Sequence, residues 1–354
     1  MIQAEDFAKL FIKNTPLIDT RSPLEFAQGS FPFAKNLPLM SDKQRELVGI
    51  CYKNQGQQSA LDLGHKLVQG QLKQARLEAW LQFIKNNPHG ALFCFRGGLR
   101  SQISQKWIFD SCGINYPRIT GGYKALRRFL LNETESIIST ITPLVLGGQT
   151  GCGKTLLLKK ITQKVDLEGL ANHRGSAFGG QITPQPSQID FENALAIALI
   201  KRQNASFLAF EDEGKNIGAL NVPPAVQSAT SAADLIILTA SLDERVEISL
   251  KAYVAEMLAG FGFADFSNYW LMSLLKIQKR LGSERHKKLH NLSQNALQLQ
   301  QQTGAISGFR PIVKSLLVDY YDPMYDYQIK NKSRRIKFTG NAAEVLDYLQ
   351  KFRV

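Results

Sequence analysis

The sequence lacks several features that would place it in a whole class of proteins. No stretch approaches the roughly 20 consecutive apolar residues that a membrane-spanning helix needs. The first residues, MIQAEDFAKLF, contain acids where a secretory signal peptide would carry a basic region. We therefore expect a cytoplasmic protein that does not act at a membrane.

Cysteine is also scarce, and its spacing excludes the usual cysteine frameworks. The 354 residues contain four cysteines, Cys51, Cys94, Cys112 and Cys152, with no CxxC pair and no zinc-ligand spacing. This pattern is typical of reduced thiols and argues against disulfides and against a tightly bound transition metal. A cysteine with a special role in this chain is therefore expected to be chemically reactive.

Acidic residues are outnumbered by basic ones. The chain has 43 Lys and Arg and 30 Asp and Glu, which gives a net charge of +13. Residues 1–130 contain 18 of the basic residues and 9 of the acidic ones. A positive surface attracts polyanions such as RNA, although a basic run is often only a solvated surface. The charge alone does not identify a partner.

The hydrophobic pattern predicts two α/β domains, because 354 residues exceed what one hydrophobic core usually holds. Short apolar strands alternate with helical patterns, which favours parallel sheets. The predicted strands are PLID, ALFCF, TPLVLGG, SFLAFEDE and ADLIILTA, and a long amphipathic helix is predicted over residues 65–86. A polar stretch at residues 132–140 leads us to place the domains at 1–135 and 136–354, the second with a helical C-terminal part.

The segment CFRGGLRS places Cys94 at the end of a buried strand, just before a helix. Gly97 and Gly98 let successive backbone N–H groups point toward one anion, while Arg96 and Arg100 favour the nucleophilic thiolate. We therefore predict that Cys94 is catalytic and that these four residues form an anion cradle around it. The same C-x5-R spacing occurs in cysteine-dependent phosphatases, so attack on phosphorus and transfer of sulfur or selenium both remain open.

A second motif, GQTGCGKT, satisfies G-x4-G-K-[ST] between an apolar strand and a helix. In such a P-loop the backbone N–H groups cradle phosphate oxygens, the lysine adds a positive charge, and the Ser or Thr hydroxyl binds Mg²⁺. The predicted phosphate-binding residues are Gly148, Gly151, Gly153, Lys154 and Thr155.

The strand SFLAFEDE ends in three acids, Glu211, Asp212 and Glu213, where P-loop proteins carry a metal-binding acid. Asp212 or Glu211 is the candidate, and we expect Thr155 and Asp212 to hold Mg²⁺. Three adjacent acids are equally consistent with a solvated strand end. No base for an attacking water is apparent, which weakens an ATPase interpretation.

Two groups of motifs resemble known families. The segment LIDTRSPLEFAQGSFPFAKNLPL, which includes Asp19 and Arg21, resembles the opening of a rhodanese domain, and CFRGGLRSQ resembles its sulfur-transfer loop. A rhodanese-like domain ahead of a P-loop NTPase-like domain resembles the tRNA 2-selenouridine synthase family over nearly the whole chain. The motifs that carry this resemblance are CFRGGLRS, GGYKALRR, GGQTGCGKT, LEGLANHRGSAFG and EDEGKNIG. We expect Asp19 and Arg21 to be a structural pair.

The resemblance implies a transferase that replaces the sulfur of a wobble 2-thiouridine in tRNA with selenium from selenophosphate. The 2-thio sulfur is first alkylated by geranyl diphosphate, and the S-geranyl group is then displaced. The resemblance implies that Cys94 carries the selenium and that the P-loop binds a phosphate-bearing substrate, with Mg²⁺ the one expected cofactor. The implied partners are the anticodon loop of tRNA and the enzyme that produces selenophosphate.

RNA loops are recognised by aromatic stacking and by Arg or Lys contacts to phosphate. The predicted RNA contacts are Tyr123, Lys124, Arg127, Arg128, His173 and Arg174, the last two also consistent with an ordinary charged turn. Two other functions stay open: a P-loop ATPase or kinase with a regulatory rhodanese domain, and a tRNA-binding module without activity. Both leave the intact Cys94 loop without a role.

Overall fold

The computed structural model describes residues 1–331 and 335–351. The chain forms two compact units, unit 1 from Met1–Ile137 with Ser187–Lys201, and unit 2 from Ile138–Pro186 with the residues from Arg202 onward. Each unit contains a parallel sheet with helices, so the predicted α/β class is confirmed. The division differs from the predicted one because residues 187–201 belong to unit 1.

The strands, in chain order, are β1 Leu17–Asp19, β2 Ala34–Asn36, β3 Ala91–Phe93, β4 Pro143–Gly147, β5 Lys164–Val165, β6 Leu208–Glu211, β7 Asn216–Ile217, β8 Leu220–Asn221, β9 Asp234–Leu238 and β10 Ile336–Gly340. The α-helices are α1 Phe7–Ile12, α2 Pro23–Ala27, α3 Asp42–Leu67, α4 Gly70–Asn86, α5 Leu99–Cys112, α6 Gly122–Thr140, α7 Lys154–Lys160, α8 Leu167–Ala171, α9 Gln188–Ile200, α10 Pro224–Ala232, α11 Leu242–Leu250, α12 Glu256–Phe261, α13 Phe263–Lys276, α14 Gln278–Leu281, α15 Ser283–Thr303, α16 Arg310–Leu316, α17 Asp322–Asn331 and α18 Ala342–Gln350. Two π-helical turns, Lys251–Ala255 and Leu317–Tyr321, continue α11 and α16.

The sheet of unit 1 has the order β2-β1-β3, and all its strand pairs are parallel. Strands β1 and β3 are fully buried, as expected for parallel strands covered on both faces. Trp80 and Trp107, from α4 and α5, pack into one core with Ile18 and Leu92 of these strands. This sheet fixes the position of the cysteine loop, because Cys94 directly follows β3.

Helix α3 is a helical hairpin. Gly56 has φ 85° and ψ −179°, outside the helical region, and breaks the helix. The Gln44 side chain donates to the Leu67 carbonyl at 3.1 Å, although the same 23 residues would span about 35 Å in a straight helix. The two halves of α3 therefore fold back on each other. The predicted single helix over residues 65–86 is also divided, because α3 ends at Leu67 and α4 begins at Gly70.

Helix α9 joins unit 1 although it follows the P-loop in the chain. It is apolar on nearly every side, which is typical of a helix buried in a core. Its polar residues bind unit 1: the Asn193 amide donates to the Ser30 carbonyl at 2.6 Å, and the Ser30 N–H donates to Asp190 at 2.7 Å. The prediction that residues 136–354 form one continuous domain is therefore wrong at this helix.

The sheet of unit 2 is parallel, with the order β10-β9-β4-β6-β5. The P-loop leaves the central strand β4, whose neighbour β6 pairs Glu211 with Leu146. The acids that follow β6 thus lie at the same sheet edge as the P-loop. The edge strand β10 was not predicted, because only Gly340 of its residues is buried.

The helical C-terminal part of unit 2 is confirmed and lies between β9 and β10 in the chain. Its core contains Phe266 and Trp270 of α13 together with Phe309, with the Trp270 and Phe309 rings edge to face at 5.0 Å. Within residues 1–331 and 335–351, no helix has the length and apolarity needed to cross a membrane.

Candidate functional site

Cys94 lies at the C-terminal end of β3 and is 3% exposed. Its Sγ is 3.3 Å from Ser101 Oγ and 3.8 Å from the Gly98 carbonyl oxygen. The first N–H groups of α5, which begins at Leu99, have no acceptor inside their own helix. The thiol is therefore placed beside a helix N-terminus, where an anion is favoured.

Two glycines from different motifs give the cysteine loop its shape. A Cβ on Gly97, which has φ +66°, would lie 2.8 Å from the Ile119 carbonyl, and a Cβ on Gly122 would lie 2.2 Å from the Cys94 carbonyl. The Tyr123 N–H donates to the Cys94 carbonyl at 2.9 Å. The GGYK segment thus packs against the backbone of the cysteine loop and donates a hydrogen bond to it. Gly98 has an ordinary φ of −90° and precedes α5 as its N-cap.

Arg100 is held by Glu25, a residue that the sequence did not single out. Its two terminal nitrogens donate to the Glu25 carboxylate at 2.5 and 3.0 Å. Burial raises the pKa of Glu25, but the hydrogen bond and the charge of Arg100 outweigh it and lower the pKa to about 2. The Ser22–Glu25 capping box at the start of α2 was the available sequence signal.

The two arginines of the predicted anion cradle differ. Burial lowers the pKa of Arg100, but Glu25 first and then the nearby Cys94 raise it above the usual value, which places this guanidinium close to the thiol. Arg96 is exposed, and its guanidinium lies 5.9 Å from the Phe95 ring centroid. Of the two, Arg100 is therefore the one with a visible electrostatic link to Cys94.

Asp19 and Arg21 form the buried structural pair that the sequence predicted. The Arg21 guanidinium donates to Asp19 at 2.6 Å and to the Gly29 carbonyl at 2.8 Å, and both side chains are at most 2% exposed. It also lies 3.8 Å from the centre of the Tyr123 ring. The Asp19–Arg21 pair therefore stabilises the turn that follows β1.

The predicted RNA contacts on α6 separate into two kinds. Tyr123 is 8% exposed and covered by Arg21, so its ring is not presented to a base. Arg127 is paired with Glu192 and donates to Asn193 at 2.8 Å. Lys124 and Arg128 are exposed. Of these four residues, only Lys124 and Arg128 present a charged group to solvent.

In unit 2 the P-loop follows β4 as predicted, and close packing explains its glycines. A Cβ on Gly151 would lie 2.5 Å from Ser249 Oγ of α11, and one on Gly148 would lie 2.5 Å from the Leu238 carbonyl. Gly153, with φ 91°, is the N-cap of α7. Lys154 donates to the Gly148 carbonyl at 2.7 Å. The Lys154 side chain therefore makes a hydrogen bond within the P-loop itself.

Two carboxylates from distant segments meet beside Lys154 and Thr155. Glu168 lies 3.4 Å from the Thr155 hydroxyl and is hydrogen-bonded to Glu213. Burial and the neighbouring Glu168 raise the pKa of Glu213 to about 8, and burial also raises the pKa of Glu168. Burial lowers the pKa of Lys154, but Cys152, Glu168 and Glu213 raise it above the usual value. The carboxyl pair shares a proton at neutral pH while Lys154 stays charged.

The structure adds a further acid to the candidates that the sequence suggested. Glu211 is buried, and its Oε2 accepts from the Leu167 N–H at 2.7 Å at the start of α8. Asp212 lies near Tyr325, whose pKa is raised by burial and by this carboxylate. The carboxylate next to the Thr155 hydroxyl is that of Glu168. The predicted magnesium pair of Thr155 and Asp212 stays a prediction, and Glu168 joins it as a candidate.

Arg245 braces the P-loop from α11 and was missed by sequence reasoning. It is 3% exposed, and it donates to the Thr150 carbonyl at 2.9 Å and to the Gln149 side chain at 2.9 Å. Asp322 neutralises it, with the closest contact at 2.5 Å. Asp322 belongs to the YYDPMY segment near the C-terminus, which thus has a structural role in the P-loop.

His173 and Arg174 belong to a closed loop in unit 2. The Arg174 N–H donates to the Gly179 carbonyl at 2.8 Å, and its guanidinium donates to Glu256 at 2.7 Å. Burial and the charge of Lys276 lower the pKa of His173, so its imidazole is neutral at pH 7. A Cβ on Gly175 would lie 2.9 Å from both Glu168 and Glu213, so this loop covers the carboxyl pair.

In the described part of the chain, no three His, Cys, Asp or Glu side chains are arranged to hold a metal ion by themselves. Mg²⁺ is commonly bound by one or two carboxylates together with waters and substrate phosphates. Thr155 with Glu168 and Glu213 fits that smaller requirement, since all three present oxygen atoms beside the P-loop.

Comparison with known proteins identifies a family. A family model described as the tRNA 2-selenouridine synthase AAA domain matches residues 141–354. A protein of Sulfurovum sp. (strain NBC37-1) named tRNA 2-selenouridine synthase is 47% identical over 360 residues, covering 99% of each chain. A protein of that name from Pseudomonas syringae pv. syringae (strain B728a) is 48% identical over 358 residues, covering 98% of each chain. A third, from Marinobacter nauticus, is 47% identical over 354 residues, covering 97% of this chain and 96% of that one.

Proposed function

Because this chain belongs to the tRNA 2-selenouridine synthase family, we propose that it is a transferase that replaces the sulfur of a wobble 2-thiouridine in tRNA with selenium from selenophosphate. Two steps are proposed. The 2-thio sulfur attacks geranyl diphosphate and releases diphosphate. The Se–P bond of selenophosphate then breaks as water takes the phosphoryl group, and the freed hydroselenide bonds to C2 as the C2–S bond breaks, so that phosphate and geranyl thiol are released. Alkylation comes first because a thiocarbonyl sulfur is a poor leaving group, whereas an S-alkyl group leaves readily as a thiol.

The cysteine loop of unit 1, which we propose to be rhodanese-like, supports the selenium step. The observation that carries this assignment is a single thiol, Cys94, at a strand end beside the N-terminus of α5 and close to Arg100. A helix N-terminus and a neighbouring guanidinium favour an anionic sulfur or selenium at that position. Cys94 is therefore proposed as the residue that delivers selenium.

The P-loop of unit 2 supports the alkylation step. Diphosphate leaves with developing negative charge, and we propose that the loop N–H groups and the Lys154 ammonium, which is hydrogen-bonded to the Gly148 carbonyl, stabilise it. Thr155, Glu168 and Glu213 would hold Mg²⁺, which supplies further positive charge for the leaving group. Selenophosphate is the other phosphate-bearing substrate, and we favour geranyl diphosphate as the ligand of this loop.

Recognition of tRNA is proposed to rest on exposed basic residues. Lys124 and Arg128 are exposed on α6, which begins at the loop supporting Cys94. Such side chains contact phosphates and hold an RNA in register. Tyr123 and Arg127 are proposed to act indirectly, by fixing this helix within unit 1.

A reconstitution with purified protein tests the proposal. The protein is incubated with a 2-thiouridine anticodon stem-loop, geranyl diphosphate and Mg²⁺, selenophosphate is then added, and the nucleosides are separated by chromatography and mass spectrometry. We expect S-geranyl-2-thiouridine first and 2-selenouridine second. Hydrolysis of ATP stimulated by tRNA, with no change in the nucleoside, would instead support the ATPase alternative.

A further inference from the structure

A large apolar cavity that opens to solvent lies in unit 1, next to the cysteine loop. Its volume is about 530 Å³, within the range of cavities that hold small-molecule ligands. The helical hairpin α3 forms one wall, where Gly64 lies against Val48, and Ile103 and Trp107 of α5 form the other. Exposed apolar surface of this kind on a protein commonly marks a binding site.

The cavity reaches the residues that position the thiol. Leu99 and Arg100, the first residues of α5, line it, and Ser101, the next residue, is the one whose hydroxyl is 3.3 Å from Cys94 Sγ. Ile50, Tyr52 and Leu99 line the cavity while 52%, 58% and 40% exposed. These large apolar side chains lose contact with water only when the cavity is filled.

The charged residues at the cavity indicate what kind of ligand enters it. Arg100 is already paired with Glu25 through both terminal nitrogens, so it is not free to bind a diphosphate. Arg45, whose Nε lies 3.9 Å from Glu25, and Lys53 are exposed on α3 together with the acid Glu46. The exposed cations suit an RNA backbone at the mouth, and the interior suits an alkyl chain.

The geometry points to this cavity as the site that holds the geranyl group of the S-alkylated nucleotide while selenium is delivered at Cys94. In that step a hydroselenide equivalent forms a bond to C2 of the base. The C2–S bond breaks, and its electron pair and the proton of the nucleophile leave with the sulfur as geranyl thiol. The cavity holds the alkyl chain until the sulfur has left.

This inference rests on the proposed function, and Gly49 offers a direct test. Gly49 is an exposed residue of α3 that lines the cavity, and a Cβ there meets nothing within 4 Å. Gly49→Trp therefore introduces a bulky side chain that starts in open space at the cavity wall, and Gly49→Ala is the matched control that changes the backbone in the same way. Circular dichroism verifies that both variants are folded.

The probes are two anticodon stem-loop RNAs, one with 2-thiouridine and one with S-geranyl-2-thiouridine. We expect the wild-type protein and Gly49→Ala to bind the geranylated RNA at least tenfold more tightly. Gly49→Trp should lose that preference, keep its affinity for the 2-thiouridine RNA, and convert geranylated RNA to 2-selenouridine at least tenfold more slowly.

An unchanged preference in Gly49→Trp, or no preference in the wild-type protein, would overturn the assignment of the cavity. Loss of alkylation in Gly49→Trp with normal conversion of geranylated RNA would also overturn it, because the cavity would then serve free geranyl diphosphate. Failure of the wild-type protein to convert geranylated RNA would overturn the proposed function instead. The binding preference is measured without turnover and still decides the cavity.

Discussion

At the scale of single residues, Glu25 is the clearest example of a side chain whose importance is visible only in the fold. It lies 75 positions before Arg100 in the chain, yet the two side chains share a bidentate ion pair close to Cys94. A strand-end cysteine and its glycines are local in sequence, so they were predictable. Glu25 comes from another helix, and its position next to Arg100 depends on the topology. This partner was therefore not predictable from the sequence.

We predict that Glu25→Gln lowers the free energy of unfolding at pH 7 by about 2–3 kcal/mol. The pKa of about 2 in the folded protein lies below the ordinary glutamate pKa of 4.5. The contribution is therefore present above pH 4.5 and is lost as the pH falls toward 2. Urea unfolding followed by tryptophan fluorescence at several pH values measures it. Equal stability of both proteins at pH 7 would contradict the assignment.

Glu213 provides a pH-dependent prediction in unit 2. Its pKa of about 8 means that the proton shared with Glu168 is lost as the pH rises from 7 to 9. A second negative charge then lies beside Lys154 and opposes a phosphate ligand. Without Mg²⁺, affinity for inorganic diphosphate should therefore fall by about tenfold over that interval. Titration calorimetry measures this fall.

Glu213→Gln is the matched variant for that titration, because it keeps the shape and cannot ionise. Its diphosphate affinity should vary little between pH 7 and 9. The same fall in the variant and the wild-type protein would show that another group titrates there.

At the scale of elements, the strands were easier to predict than the helices. Buried parallel strands such as β3 and β4 appear as short apolar runs bounded by Gly or Pro, and their positions agree with prediction. The fold of α3 at Gly56 and the membership of α9 in unit 1 were missed, because helical periodicity does not report which core a helix joins. The cavity beside Cys94 follows from one of these missed features.

Helix α6 allows a test of RNA binding. The logarithm of the tRNA affinity should fall linearly with the logarithm of the salt concentration. Each lost phosphate contact should make the slope of this line shallower by about 1. We expect this reduction for Lys124→Glu and Arg128→Glu, measured by filter binding. Lys85→Glu, an exposed lysine at the end of α4, is the control and should leave the slope nearly unchanged.

An unchanged slope in both α6 variants would move the RNA surface elsewhere. The basic segment KIQKRLGSERHKKLH, residues 276–290 in unit 2, would then be the next region to test.

At the scale of the whole molecule, the chain carries two anion-binding loops, each in its own unit. The cysteine loop follows β3 of unit 1 and the P-loop follows β4 of unit 2, both at the C-terminal ends of parallel strands. Both loops were predicted because their residues are contiguous. The residues that brace the loops were not predicted. Arg245 and Asp322, which brace the P-loop, are 77 positions apart in the chain. Each loop is proposed to carry out a different chemical step.

Nucleoside mass spectrometry of the Cys94→Ala reaction tests that assignment most directly. With 2-thiouridine RNA, geranyl diphosphate and selenophosphate, the variant should accumulate S-geranyl-2-thiouridine and form no 2-selenouridine. Lys154→Ala should leave 2-thiouridine largely unmodified, since losing one charge-assisted bond of about 1.5–3 kcal/mol weakens ligand binding by one to two decades. Cys112→Ala, an exposed thiol, is the control and should behave as wild type. Wild-type amounts of 2-selenouridine from Cys94→Ala would contradict the account.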